Sequence, residues 1–358
     1  MTNGFYIYFF LCFQCIVVIS SCSSPLQNKD FPTVIIPDRV DQNVYLSDIA
    51  DSIIQIHLET NEQSLLSVIK DVVFYKNKIY INDGIKILGF DNKGNFLFKL
   101  GQEGDGPGEY GVINSFEIDR NSGLIYVSSL RKLIVFSSDH KFIRERRLPS
   151  VLNYLSFIDG SLVAISEEVE SNSENKLTRK TKLYQLNSKL TITDSTTFRN
   201  EKIDTRAESY YRYKFYISVN DSENYLYKPS FYKKHLQPDT LYRLNGLDFS
   251  PFKGFDFERA KEFNPNGRIN PVILNISHSE SYIICEYQLD ADLMFYMEER
   301  GVSKSYNLKT GFQDNDGTLV VLRPIKLSND TFYYIKKPEY EKGSKIELNP
   351  IIGIVKLK

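Results

Sequence analysis

A repeat constrains the fold of this chain more than any other feature of its sequence. Ile79-Tyr80-Ile81 recurs as Ile125-Tyr126-Val127, and Phe96 recurs as Phe142, each pair being 46 residues apart. A period of roughly 40–50 residues built from short strands is typical of a β-propeller blade. Because one blade cannot bury both of its faces, the period predicts a closed ring of blades with a shared core.

Alternating apolar residues and intervening turn residues divide the body into five complete blades and one divided blade. The complete blades are predicted at about 69–100, 114–148, 151–198, 213–257 and 272–311. The sixth takes strands from 317–327, 329–337 and 351–357, and its missing partner is residues 53–58 near the N-terminus. The prediction is an all-β, six-bladed propeller of four-stranded antiparallel blades, closed by pairing N-terminal and C-terminal strands. Five or seven blades stay open, because the later blades repeat poorly.

Two polar segments do not follow the blade rhythm. Residues 167–180 are predicted as a polar loop inside the third blade, and 199–212 as the connection to the fourth. Long loops on a rigid scaffold often carry binding residues. The alternatives are a solvated hairpin for the first segment and a strand entry with packed tyrosines for the second.

The N-terminus has the pattern of a targeting segment. Phe5 to Ile19 is almost continuously apolar, a length of ~15 residues that suits a secretory signal better than a ~20-residue membrane span. It ends in Ile19-Ser20-Ser21-Cys22, which resembles a bacterial lipobox and implies lipidation of Cys22. We therefore expect a signal peptide over 1–21, a lipidated and flexible tether over 22–43, and the propeller over 44–358. Residues 1–4 lack the usual positive charge, so an uncleaved anchor helix is the alternative.

Composition and residue spacing argue against several classes of function. The net charge of −1 gives no basic surplus for nucleic acid. Cys285 is the one cysteine of the body and is expected to be a buried structural thiol. Asp314-Asn315-Asp316-Gly317 lacks the downstream acid of a calcium loop, so a turn is expected. The sequence predicts no catalytic constellation, no metal site and no cofactor, since no metal-binding spacing joins the four histidines, His57, His140, His235 and His278.

A glycine-rich segment lies between the two clearest blades. Gly101-Gln102-Glu103-Gly104-Asp105-Gly106-Pro107-Gly108-Glu109-Tyr110 follows Asn92-Lys93-Gly94-Asn95-Phe96, and together they resemble the NHL-type repeat. More broadly, most of 44–330 resembles the bacterial lipoprotein family of NHL-like six-bladed propellers. The further resembling segments are Leu46-Ser47-Asp48-Ile49, Ile56-His57-Leu58-Glu59-Thr60, Asp239-Thr240-Leu241-Tyr242 and Asn315-Asp316-Gly317. The resemblance implies an anchored envelope protein with no agreed activity.

The glycines suit the crossover from the outer strand of one blade to the inner strand of the next, which needs tight turns. We expect the same segment to present side chains to one end of the central channel, although crossover architecture alone is the alternative. The candidate channel-face binding residues are Asp105, Glu109, Tyr110, Tyr210, Tyr211 and Arg212.

The leading hypothesis is a non-enzymatic binding module. It would be lipid-anchored in a bacterial cell envelope, facing the periplasm or the cell surface, and would bind an envelope protein, a peptide or a glycan. The alternative is a metal-dependent lyase or hydrolase with its site at the propeller axis. A third hypothesis is a structural partner in a larger envelope assembly. Histidines, or histidine with carboxylates, converging at the axis would favour the enzyme.

Overall fold

The computed structural model describes residues 31–173, 176–203, 211–220, 223–231, 239–265, 267–336 and 347–358. Within them, six sheets form the six predicted blades; each contains four antiparallel strands, and one sheet has an additional fifth strand. The short alternating runs of β-branched and aromatic residues explain why strands dominate. From the inner to the outer strand, the blades are Asp71–Tyr75, Lys78–Asn82, Ile87–Asp91 and Phe96–Leu100 (blade 1); Ile113–Ile118, Ile125–Ser129, Lys132–Phe136 and Phe142–Arg147 (blade 2); Tyr154–Ile158, Ser161–Ser171, Leu177–Leu186 and Ile192–Ile203 (blade 3); Ile217–Val219, Asn224–Leu226, Asp239–Asn245 and Asp248–Phe257 (blade 4); Val272–His278, Tyr282–Leu289, Asp292–Glu299 and Ser305–Lys309 (blade 5); and Arg323–Lys326, Thr331–Lys336, Ile351–Leu357 and Ala50–His57 (blade 6).

Short elements complete the described fold. They are the strand Thr33–Ile36, the helix Leu46–Ile49, the 3₁₀ turn Leu327–Asn329, and three small ribbons that pair Gln102–Glu103 with Glu109–Tyr110, Glu262–Phe263 with Ile269–Asn270, and Phe312–Gln313 with Leu319–Val320.

The ring closes where the sequence predicts. Ala50–His57 pairs antiparallel with Ile351–Leu357 as the outer strand of blade 6, with Ile54 opposite Ile354. The closing strand also contacts blade 1, because Glu59 N donates to the carbonyl of Gly94 at 2.8 Å. Gly94 has φ +91°, and a Cβ there would lie 2.0 Å from the carbonyl oxygen of His57. Only glycine fits so close an approach in that conformation.

The core lies in layers between neighbouring blades. Between blades 1 and 2, for example, Tyr80, Phe116 and Phe136 are almost completely buried in one apolar cluster. Burial of each such side chain stabilises the fold by about 1.5–3 kcal/mol. The 46-residue repeat has a direct structural meaning, because Ile81 pairs with Leu88 in blade 1 as Val127 pairs with Ile134 in blade 2. Cys285 is buried and free, as expected.

The polar segment of blade 3 is not a loop but a hairpin, which is the alternative that the sequence left open. Ser161–Ser171 and Leu177–Leu186 continue as paired strands through most of 167–180. The polar sequence forms strands because charges pair across them, Lys180 with Glu170 at 2.6 Å and Lys182 with Glu168 at 2.9 Å. Cross-strand pairs of opposite charge stabilise a ribbon that carries few apolar residues.

The predicted tether needs a correction as well. Thr33–Ile36 adds a fifth strand to blade 4, parallel to Asp248–Phe257. Val34 and Ile36 pack into the apolar cluster between blades 4 and 5, which explains why this part of the segment is ordered. The fold therefore begins before residue 44.

Candidate functional site

A cavity of about 680 Å³ lies at the axis of the ring. This volume is within the range of roughly 300–1,000 Å³ that small-ligand sites occupy. The inner strands of blades 1, 2, 3, 4 and 6, the turns at their C-terminal ends and residues 214–215 form its wall. The inner strand of blade 5 is buried behind residues 211–216, where Asn275 donates to the carbonyl of Tyr213 at 2.9 Å and accepts from Phe215 N at 3.0 Å.

Three polar side chains form the floor of this cavity. Asp71, Tyr154 and Lys214 line both the cavity and a second void of about 20 Å³ beneath it. A void of that size holds about one water molecule. Its remaining lining is polar throughout, with Lys70, Asn82, Asn114, Ser115 and Arg212. The axis therefore has a wide mouth and a narrow, polar end.

Two carboxylates face the lower part of the cavity. Asp71 lies at the depth of Ser115, because both line the small void, and Glu117 lies two residues farther along its strand, ~7 Å nearer the mouth. Glu117 accepts a hydrogen bond from the backbone N–H of Ile118 at 2.8 Å. Among the described residues neither carboxylate forms an ion pair, although the charge of Lys214 acts on Asp71 and that of Arg120 acts on Glu117.

Burial and mutual repulsion change the protonation of these acids. Burial, then the charge of Glu117, raises the pKa of Asp71 to about 8. Burial raises the pKa of Glu117 to about 7, against the opposing effects of its hydrogen bond to Ile118 and the charge of Arg120. Both side chains touch the cavity and are only partly covered, so water inside it moderates these shifts.

The other two floor groups are shifted by the same environment. Burial lowers the pKa of Lys214 to about 8, helped by the charge of Lys228. Burial, Asp71 and Glu117 together raise the pKa of Tyr154, so its hydroxyl stays protonated. Asp71, Glu117 and Lys214 thus change charge within one or two pH units of neutrality, a pattern common at functional sites.

The side wall of the cavity is aromatic and apolar. Phe74 and Phe215 pack against the apolar cluster between blades 6 and 1. Phe157 packs against the cluster between blades 2 and 3. All three stay partly exposed on the cavity side. Pro324 and Ile325 of blade 6 continue this surface. The wall can contact a flat or apolar ligand surface while the floor supplies hydrogen bonds.

The mouth carries charges of both signs. The turn after the inner strand of blade 2 supplies Asp119, Arg120 and Asn121, blade 3 supplies Asp159, and blade 6 supplies Lys326. Arg120 also donates to the carbonyl of Phe74 at 3.1 Å and so links blades 2 and 1 at the rim. The mouth itself therefore has no strong preference for one sign of charge.

The glycine-rich crossover does not reach the cavity. Tyr110 is fully buried between blades 1 and 2, and its hydroxyl donates to the carbonyl of Leu100. Glu109 accepts from Gln102 at 2.6 Å and from Gly106 N at 2.9 Å. The carbonyls of Asp105 and Glu109 accept from Lys132, on the third strand of blade 2. The expected channel-facing position of Asp105, Glu109 and Tyr110 is corrected accordingly, because the segment is tied to outer strands instead.

The other predicted site residues fall in different places. Arg212 lines the small void at the narrow end of the axis. Tyr211 lies 5.9 Å from Tyr213, centroid to centroid, and Arg323 stacks on Tyr213 at 3.7 Å. Tyr210 and the lipidation candidate Cys22 lie outside the described residues.

The described histidines do not meet at the axis. His57 is on the outer strand of blade 6, and His140 stacks on Phe98 at 3.6 Å. His278 of blade 5 packs against Tyr225 of blade 4, with ring centroids 4.1 Å apart. His235 lies outside the described residues. Across the part of the chain that is described, no three His, Cys, Asp or Glu side chains gather as a metal site would require.

The Asp314–Gly317 segment is a turn, as predicted. The ammonium of Lys336 lies 2.8 Å from Asp314 and 2.7 Å from Asp316, at the position where a bound cation would otherwise contact both carboxylates. The lysine therefore satisfies these carboxylates within the fold.

Sequence reasoning missed Asp71, Glu117, Tyr154 and Lys214. A weak signal existed, since Glu117 interrupts the apolar run of an inner strand and Asp71 begins another. Nothing in a single sequence distinguishes an acid that faces the axis from one at a solvated strand end.

The propeller belongs to a known sequence family. The sequence profile of the family called Domain of unknown function (DUF4934) matches residues 32–356. The chain belongs to this family. The matched region begins at the added strand of blade 4 and ends in the closing blade, so membership covers the whole ring. No curated protein matches the sequence.

Solved structures support the fold. A Bacteroides fragilis protein that its name describes as exported superimposes with a TM-score of 0.65 at 19% identity, over 91% of this chain and 100% of its own. The WD40 domain of Neurospora crassa Pan2 gives a TM-score of 0.46 at 9% identity, over 80% of this chain and 75% of its own. The first similarity shows a shared fold, and the second is too low to add to it. Among the described residues of the DUF4934 chain, no helix is long and apolar enough to cross a bilayer.

Proposed function

We propose that this chain is a non-enzymatic binding module of the bacterial cell envelope, and that its ligand enters the central cavity. The observation that carries the proposal is the cavity itself, about 680 Å³ in volume, with a polar floor and an aromatic side wall. A cavity of this size accepts a small molecule, the end of a peptide or the end of a glycan chain. A folded protein could contribute only a protruding segment.

The rigidity of the ring favours binding. The cavity wall consists of inner strands whose opposite sides pack in buried apolar clusters, so the site is largely formed before a ligand arrives. Preorganisation lowers the entropic cost of binding. The floor groups are held by several different blades, which fixes the spacing of their polar atoms.

Calorimetric titration of residues 31–358 with a panel of short peptides and oligosaccharides tests this proposal. Val219 is 40% exposed and lines the mouth, so Val219→Trp narrows the entrance without disturbing the core. Ile54→Trp is the matched control, because Ile54 is 58% exposed on the outer strand of blade 6. A ligand that Val219→Trp weakens by about 10-fold or more, with no loss in Ile54→Trp, supports the cavity as the site. Equal binding to both variants contradicts it.

We propose further that Cys22 carries the lipid that anchors the protein. The support is the lipobox-like Ile19-Ser20-Ser21-Cys22, and the name of the exported structural relative agrees with an envelope location. Residues 23–32 separate Cys22 from the added strand of blade 4. Ten extended residues span at most ~35 Å, so an anchored ring would stay close to the membrane surface. Metabolic labelling with an alkyne fatty acid, compared between the full chain and Cys22→Ser, tests this. Equal labelling and equal membrane recovery of the two would contradict lipidation at Cys22.

A second candidate is a lyase or hydrolase that uses Asp71 and Glu117 for proton transfer. The raised pKa values of two carboxylates in one cavity favour it, because such groups can exchange protons near neutral pH. Mass spectrometry of any cavity ligand after prolonged incubation separates the two functions. Turnover that Asp71→Asn abolishes while binding persists would establish the enzyme. Recovery of unchanged ligand favours the binding module.

A further inference from the structure

The lower cavity combines unpaired acids with aromatic side chains. Asp71 and Glu117 face it without an ion-pair partner among the described residues. Partly exposed Phe74, Phe157 and Phe215 lie on the same wall. Carboxylates and the faces of aromatic rings both attract a cation.

We propose that the cavity binds a ligand through a positively charged amine, placed between the carboxylates of Asp71 and Glu117 and against the aromatic wall. This inference rests on the proposed function, that a ligand enters the central cavity. It specifies the chemistry of the recognised group, which an amino sugar and a peptide amine share.

The distribution of charged side chains along the axis supports this position for the amine. Three cationic side chains, Lys70, Arg212 and Lys214, surround the small void. At the mouth, Arg120 and Lys326 lie among acidic side chains, Asp119 and Asp159. Glu117 lies between these ends, and Asp71 lies at the inner end beside Lys214. An amine at the level of Glu117 would therefore meet the acids first. An anion would meet the repulsion of Glu117 before it reached Lys214.

Polar neighbours of the acids come from every surrounding element. Asp71 is influenced by Glu117 from blade 2 and by Lys214, and it in turn acts on Tyr154 of blade 3 and Tyr333 of blade 6. Glu117 is also influenced by Arg120. Both tyrosines stay neutral because burial raises the pKa of each hydroxyl. Of the two cations named here, Lys214 and Arg120, Lys214 loses its positive charge as the pH rises through about 8.

Binding of an amine in this position would be linked to proton release. The empty site holds protons on its acids near neutral pH, and a bound cation favours the ionised form of both. Affinity for an amine that stays charged should therefore rise between pH 6 and pH 8.5. Loss of the Lys214 charge acts in the same direction.

Matched probes test the inference by calorimetry on residues 31–358. One pair is the glucosamine trimer and its fully N-acetylated form, and the other is N-acetylated, amidated trilysine and the same peptide with acetylated side chains. The amine form of at least one pair should bind about 10-fold more tightly than its acetylated form. The pair that responds identifies an amino sugar or a peptide as the source. The lysine peptide also gives the pH profile, because its amines stay charged up to about pH 9.

Isosteric variants locate the amine. Asp71→Asn and Glu117→Gln should each weaken amine binding by about 10-fold and flatten the pH profile. Asp159→Asn is the control, since Asp159 lines the mouth and loses the same charge. A change of about 3-fold or less is expected there. Titrations in buffers of different ionisation enthalpy should show proton release that Asp71→Asn reduces.

The outcomes separate this inference from the proposed function. If amine and acetylated probes bind equally well and Val219→Trp blocks both, the amine inference is wrong but the cavity is still the binding site. Amine binding that neither acid variant weakens overturns it as well. Amine binding that Val219→Trp leaves unchanged contradicts the cavity and the inference together, and so does the failure of every probe to bind.

Discussion

Two groups of acidic side chains in this ring differ in their partners. Glu167 and Glu168 of blade 3 pair with Lys228 and Lys182, each at 2.9 Å. Asp71 and Glu117 at the axis have no such partner among the described residues. Burial alone would raise the pKa of all four acids. At Glu167 the ammonium of Lys228, with the charges of Arg179 and Arg199, outweighs burial and lowers the pKa. At Glu168 hydrogen bonds from Lys182, Ser150 and Tyr184 do the same, while the pKa values of Asp71 and Glu117 stay raised.

The difference separates acids that stabilise the fold from acids that are available to a ligand. A paired carboxylate contributes to stability, whereas an unpaired one in a cavity costs stability and keeps its capacity to bind. The Glu167 pair is not uniformly favourable, because burial lowers the pKa of Lys228 despite its partner. Lys228 is only 5% exposed and lies 2.9 Å from Glu167, so removing it would leave a largely buried carboxylate without its nearest cation, which is costly.

The largest expected effect is the loss of that buried pair. Lys228→Met leaves Glu167 without its nearest cation and should lower the free energy of unfolding by ~3 kcal/mol at pH 7. Denaturant unfolding measures the loss. The double variant with Glu167→Gln should recover more than half of it, since no uncompensated charge remains. A loss in the single variant no greater than in the double one would contradict the contrast.

At the axis, by contrast, we expect the removal of an acid to raise the free energy of unfolding. The folded-state pKa of Asp71, about 8, lies above its ordinary 3.8, so this group makes folding less favourable as the pH rises from about 4 to 8. Asp71→Asn mimics the protonated acid and should raise the free energy of unfolding by ~2 kcal/mol at pH 8 and by little at pH 4. Urea unfolding at both pH values measures this. An equal effect at pH 4 and pH 8, or a loss at pH 8, would contradict the raised pKa.

A smaller loss is expected at Glu168. Burial opposes its ionisation, but hydrogen bonds from Lys182, Ser150 and Tyr184 lower its pKa to about 2. Its contribution is thus present above the ordinary pKa of 4.5 and disappears as the pH falls through about 2. Glu168→Gln should lower the free energy of unfolding by ~1 kcal/mol at pH 7. Glu170→Gln is the control, because its side chain is 51% exposed and should change little. Equal losses in the two would show that burial does not matter here.

The smallest expected effect on stability is at Tyr110, in the glycine-rich crossover. Tyr110→Phe removes the hydroxyl that donates to Leu100, and should lower the free energy of unfolding by ~1 kcal/mol while cavity binding stays unchanged. Thermal unfolding and calorimetry on the same sample measure both. Weaker ligand binding at unchanged stability would favour the channel-face role that the sequence predicts for this segment.

Much of the fold was predictable because its signals are local and periodic. The 46-residue repeat of Ile79-Tyr80-Ile81 and the apolar runs near both ends identify blades and their closure. Local character misleads where pairing with another strand overrides it. Residues 167–180 have the polarity of a loop but pair as strands of one hairpin. Thr33–Ile36 is ordered by pairing with a distant strand of blade 4, in which Thr33 lies opposite Gly254.

The residues of the candidate site were not predictable in the same way. Local signals suffice for an all-β ring with repeating blades, because strand periodicity and turn residues act over a few neighbouring positions. Assembly of the ring, by contrast, places Asp71, Glu117, Tyr154 and Lys214 in one cavity, while Glu109 and Tyr110 form hydrogen bonds within the crossover and to the end of blade 1. Ring closure brings together inner strands that are 40 or more residues apart, and a side chain shows the same letter in the sequence whether it faces the axis or the solvent.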